Sequence, residues 1–215
     1  MKVVFFGDSI CFGQGVSIHK GWVPRVAARV DELAAELGRE MVIVNASKNG
    51  RTTRDALENM PYEVQSQGVD LLLVQFGMND CNFWQTDRGL PRVSPDAFAA
   101  NLHEIIERGR KFGAREIILN TNHPTTLTDK ILAGGEAYES GNKRYNEIIR
   151  EVARKEGADV WLNDMESHFR SHIAETDDGV AGHVLDDGLH LSIKGHDLYY
   201  NCVAPLLEKV IRKCI

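Results

Sequence analysis

The chain of 215 residues is 43% hydrophobic and 26% charged, enough apolar material for one sizeable core and enough charge to keep its surface wet. Its formal net charge of −6 and the lack of any basic cluster argue against a phosphate backbone as partner, so nucleic acid is not expected. The four cysteines, Cys11, Cys81, Cys202 and Cys214, form no Cys-x-x-Cys pair, and no apolar run approaches the roughly eighteen residues of a membrane span; free thiols, no leader, no span and a cytoplasmic address are expected.

In chain order, Lys2–Phe6 is the first expected strand and ends at Gly7-Asp8-Ser9. A helix follows over Trp22–Leu37, with Val23, Val26, Val30 and Leu33 on one face and Gly38 as its stop. Met41–Asn45 is the second strand and runs into Asn45-Ala46-Ser47-Lys48-Asn49-Gly50. Val69–Phe76 is the third, followed by Gly77-Met78-Asn79-Asp80 and an irregular stretch, Cys81–Val93. Ser94-Pro95 opens a helix carrying Phe98, Leu102, Ile105 and Ile106. Glu116–Thr121 is the fourth strand, and Asn122–Gly141 is expected to be irregular. Tyr145, Ile148, Ile149 and Val152 mark another helix, and Asp159–Asn163 is the fifth strand. After the irregular stretch Glu175–Leu189, a last helix carries Tyr199, Val203, Leu206, Val210 and Ile211.

Apolar strands without clean alternation, separated by amphipathic helices, predict an α/β fold with a parallel sheet covered on both faces. No linker or repeat interrupts the chain, so residues 1–215 are expected to form a single domain. In such a sheet ligands bind beyond the carboxyl ends of the strands. That is where Ser9, Gly50 and Asn79 fall, and Asp187-Gly188-Leu189-His190 precedes the last helix.

These residues form a chemical set. A serine hydroxyl needs a base to become a nucleophile, and His190 offers an imidazole, the side chain most often used as that base. Asp187 is spaced to hold the ring and stabilise its charged form. The Asn79 amide and the backbone N–H groups of Gly50 and Ser9 are the expected donors to an oxyanion. Asp8, Phe83, Trp84 and His123, which follow strand ends or lie in the loops, are expected to meet substrate.

The four blocks, FFGDSI, NASKNGRTT, FGMND and DDGLHLS, resemble those of the SGNH, or GDSL-type, hydrolases, in the same order and over nearly the whole chain. The resemblance implies a three-layer flavodoxin-like fold with a five-stranded parallel sheet in order 2-1-3-4-5. It also implies hydrolysis of esters or thioesters by Ser9, His190 and Asp187, with Ser9, Gly50 and Asn79 as oxyanion hole. Two departures stand out: Gly-Asp-Ser-Ile in place of Gly-Asp-Ser-Leu, and no Gly-x-Ser-Gly around Gly50.

The expected partner is a small-molecule ester with a short neutral acyl group, and no cofactor or metal is called for. A thioesterase or lysophospholipase of the same fold is an alternative. A metal-dependent phosphoesterase is a further alternative, but it would need an early Asp-x-His and a Gly-Asn-His motif that the chain lacks; a non-catalytic binding module on the same sheet is another, of which a dinucleotide binder would need Gly-x-Gly-x-x-Gly. Cys11 reads as a small buried residue, and His168 with His172 as a helix face. The sequence carries no sign of an oligomeric state.

Overall fold

The strand β1 (Lys2–Gly7) runs through Val3, Val4, Phe5 and Phe6, all without exposed surface. Such a strand belongs in the middle of a sheet covered on both sides. The computed structural model, which describes residues 1–215 apart from the side chain of Gln85, places it there. With β2 (Val42–Asn45), β3 (Leu71–Gln75), β4 (Glu116–Asn120) and β5 (Val160–Asn163) it forms a sheet in order β2-β1-β3-β4-β5, parallel throughout. The expected order and strands are present, each strand within two residues of its expected ends. The edge strands β2 and β5 are the shortest and keep Val42 and Leu162 exposed.

One face of the sheet is covered by α1 (Ser9–Phe12), α2 (Trp22–Glu36), α6 (Met165–Ala174) and α7 (Ile193–Cys214). The other is covered by α3 (Thr53–Glu63), α4 (Pro95–Lys111) and α5 (Tyr138–Lys155). Trp22 joins the first group: its indole N–H donates to the Ile10 carbonyl at 2.9 Å, and its ring stacks on Tyr199 at 5.5 Å. Removing a buried aromatic of this kind costs about 3–5 kcal/mol. The anchor therefore fixes α1, and with it Ser9, against α2 and α7. Among the described residues no helix is long and apolar enough to cross a membrane.

The helices depart from expectation in three places. The helix α3 was not marked by periodicity, because it buries only Thr53, Ala56 and Met60 and contains Pro61. The helix α5 begins at Tyr138, inside the stretch expected to be irregular, with no side-chain cap to announce it. The helix α6 is real although only His168 and His172 hinted at it; His168 is exposed, as a helix-face residue should be.

Candidate active site

Asp8 follows β1 and caps α1, its carboxylate accepting the Ile10 N–H at 2.9 Å. The cap turns the chain sharply, so Ser9 is the first helical residue beyond the carboxyl end of a central strand. From the far end of the sequence, Asp187 makes a tight turn. One carboxylate oxygen accepts the N–H groups of Leu189 and His190, each at 2.9 Å, while the other lies 2.6 Å from His190 Nδ1. The turn needs Gly188, at φ +74°, where a Cβ would also collide with the Thr126 hydroxyl. His190 Nε2 then reaches Ser9 Oγ at 3.0 Å, across 181 residues of sequence.

The protonation pattern follows. Burial pushes the Asp187 carboxyl up, but the bonds from the His190 ring and from the N–H groups of Leu189 and His190 outweigh it, and the net is a lowered pKa. An ionised Asp187 takes the Nδ1 proton as a hydrogen bond, leaving Nε2 free to accept from the Ser9 hydroxyl. Cys11, two residues from Ser9, is 1% exposed, and burial holds its thiol well above the ordinary value. It is the small buried residue expected, and it stays protonated.

The second and third blocks meet beside Ser9. Thr53, at the start of α3, gives its N–H and hydroxyl to Asp80 Oδ1 at 2.8 and 2.5 Å. Tyr138, the first residue of α5, donates to the Met78 carbonyl at 2.8 Å. Asn79 Nδ2 faces Asp8 Oδ2 at 3.4 Å, so the amide is turned toward the turn that carries Ser9. Gly50 has φ +74° and open space where a Cβ would stand. Its backbone conformation, rather than a close approach, is what calls for glycine.

Arg92, which sequence reading missed, ties these blocks together. One guanidinium nitrogen donates to the Gly50 carbonyl at 3.1 Å and to Asn79 Oδ1 at 3.4 Å. Holding Asn79 Oδ1 orients the amide so that its NH₂ group points the other way. The same guanidinium lies 4.8 Å from the centre of the Trp84 ring.

Two of the four residues expected to meet substrate do not line the cleft. Asp8 is fully buried in its cap. His123 is fully buried as well, and burial lowers its pKa to about 4, so the ring is neutral. Its Nε2–H donates to the Leu189 carbonyl at 2.8 Å, and Nδ1 accepts from the Tyr199 hydroxyl at 3.1 Å. It supports the turn that carries His190 from behind. Phe83 is half-buried against Gly134 and joins two loops, whereas Trp84 is 58% exposed on the rim.

Asp8 also makes stability depend on pH. Burial raises its carboxyl from 3.8 to about 7. Between those values the unfolded chain gives up the proton while the folded chain keeps it, so stability falls as pH rises through that window. At about 1.4 kcal/mol per pKa step the effect is on the order of a few kcal/mol. Asp8→Asn keeps an acceptor for the cap without the ionisation. Its melting temperature relative to wild type should be more favourable at pH 8 than at pH 4. Calorimetry finding the same difference at both pH values would refute this.

A five-stranded parallel sheet in this order, with helices on both faces, defines a three-layer flavodoxin-like protein. The chain belongs to the GDSL-like lipase/acylhydrolase family, whose model matches residues 5–198. It is similar to the lipoprotein YqeF of Bacillus subtilis, 29% identical over 92% of this chain and 86% of that one. It is 28% identical to the bovine isoamyl acetate-hydrolyzing esterase 1 homolog, over 98% of this chain and 82% of that one. The crystal structure of the Enterococcus faecalis lipase/acylhydrolase superposes with a TM-score of 0.73 at 24% identity, covering 97% of this chain and 95% of that one. The chain is an ester hydrolase.

Proposed function

We propose that the chain is a serine carboxylesterase acting on small acyl groups, with Ser9 as nucleophile, His190 as base and Asp187 as the group that orients it. The observation that carries this reading is the continuous line Asp187 Oδ2, His190 Nδ1, His190 Nε2 and Ser9 Oγ, with gaps of 2.6 and 3.0 Å. In the first half of the reaction Ser9 Oγ bonds to the acyl carbon and its proton passes to His190 Nε2. The alcohol leaves with that proton, and a water molecule repeats the sequence on the acyl-enzyme. The oxyanion is met by the N–H groups of Ser9 and Gly50 and by the Asn79 amide. Among the described residues the Gly50 N–H has no protein acceptor, which suits that role.

The preference for a small acyl group is supported by loops that are tied to one another and to the turn that carries His190. Thr126 N–H bonds to the Gly188 carbonyl at 3.0 Å, and Phe83 and Gly89 both touch the Ala133–Gly134 backbone. The second loop thus braces the turn that carries Asp187 and His190 and is itself tied to the first, which favours a small acyl group. The free state of all four cysteines supports a reducing, cytoplasmic setting. The test is kcat/KM on nitrophenyl esters from acetyl to dodecanoyl, with acyl thioesters alongside. It should peak between acetyl and butyryl and drop by about tenfold or more by octanoyl. A maximum at long chains, or a preference for thioesters, would overturn the small-ester reading.

A further inference from the structure

The two edges of the sheet differ. At β5 the Trp161 ring lies under the ammonium groups of Lys209 and Lys213, each 5.1 Å from its centre, so an approaching strand would meet charge. Lysines placed in this way keep sheet edges from pairing. The other edge, β2, is built from Val42, Ile43, Val44 and Asn45 and carries no charge within the strand.

The open edge is longer than β2 itself. The Met1 amino group donates to the Glu40 carbonyl, and the N–H groups of Val42, Ala46 and Lys48 donate to the carbonyls of Met1, Phe5 and Gly7. Even-numbered residues from Glu40 to Lys48 therefore turn their backbone groups toward β1. Those of Ile43 and Asn45 turn outward, where no strand meets them. Apolar side chains flank this edge on both sides. Ile43 and Asn45 share one cleft with Phe12 and Ile18, and Val44 and Ala46 share another with Tyr62. Ile18 and Tyr62 are the most exposed large apolar side chains among the described residues.

We propose that this edge is a docking surface for a second copy of the chain, the two β2 strands pairing antiparallel about a two-fold axis into one continuous sheet. The inference stands apart from the esterase reading.

Charge selects both the occupant and the register. With Val44 beside its own copy, Ile43 exchanges N–H and carbonyl bonds with the partner's Asn45, and Asn45 does so with the partner's Ile43. The same register sets Glu40 opposite the partner's Lys48, and Lys48 opposite the partner's Glu40. Both side chains are exposed, and neither makes an ion pair among the described residues. Opposite charges facing across two strands stabilise the pairing, and the axis makes this contact twice. The neighbouring two-fold registers set Glu40 against the partner's Ala46 or Gly50 and lose both ion pairs. On the same face of the sheet the exposed Val42 comes to lie beside the partner's Ala46. An extended peptide of another protein would find the same backbone groups, but a second copy brings the matching charges by symmetry.

Sedimentation of the intact chain at about 1 to 100 µM tests the pairing. The wild type should reach twice the mass of the chain, and amide exchange at Ile43 and Asn45 should slow as dimer forms. Glu40→Lys and Lys48→Glu should each raise the dissociation constant by about tenfold or more, since each sets like charges face to face twice. Mixed in equal amounts, the two variants should pair with each other about as tightly as wild type does, because every contact is then between opposite charges. Ile43→Pro removes an outward N–H and spares the bonds to β1, so it should leave a monomer with unchanged circular dichroism. A wild type that stays monomeric overturns the proposal, and binding of a synthetic peptide of residues 40–48 to that monomer would make the edge a peptide groove instead. A dimer that Ile43→Pro and both charge reversals leave intact overturns this interface. A mixture no tighter than its components overturns the register.

Discussion

Ser9→Ala is expected to lower kcat on a small aryl ester by about 10⁴–10⁶-fold, with a far smaller change in KM. The hydroxyl makes the only covalent bond to substrate in the mechanism, and no neighbouring group can replace it. Cys11 is the nearest thiol in sequence, but it is buried and its sulfur keeps its proton. Initial rates on freshly purified variant, with the fold checked by circular dichroism, measure the loss. A decrease of less than about a hundredfold would mean that Ser9 does not carry the chemistry.

His190→Ala should be nearly as damaging, and the double variant Ser9→Ala, His190→Ala should be little worse than either alone. Nucleophile and base act as a unit, so removing one makes the other idle. Losses that multiply in the double variant would separate the two residues. Asp187→Ala should cost less than either. Its side chain is 49% exposed, and water can take its place beside Nδ1 even though the ring is then poorly held.

The central strands, and the places of the residues proposed as a triad, were legible in the amino-acid order for a physical reason. Val3 to Phe6 and Leu71 to Val74 are apolar on both faces, as strands of a covered parallel sheet are, and such a sheet places its chemistry at the strand ends. Ser9 and the Asp187–His190 pair follow from that rule together with spacing. What spacing does not carry is the direction in which a side chain turns. Asp8 and His123 both sit next to strand ends, yet one turns inward to cap α1 and the other turns behind the triad loop to bond Leu189. Gly50 follows β2 as expected, but its need for glycine comes from φ rather than from space.

Arg92 was hidden for a different reason. It lies in a stretch without periodicity, and its partners Gly50 and Asn79 are 42 and 13 residues away. A lone arginine in a loop gives no local sign of bridging two blocks. The start of α3 did carry a sign, since Thr52 and Asp55 form the reciprocal cap that often opens a helix. Its weak apolar stripe masked that signal.

The central claim is that Ser9 is a nucleophile activated by His190, and covalent labelling with a fluorophosphonate followed by peptide mapping tests it most directly. The adduct should lie on Ser9 alone, be absent from Ser9→Ala, and form far more slowly in His190→Ala. An adduct on another residue, or labelling of Ser9 at the same rate without His190, would contradict the account.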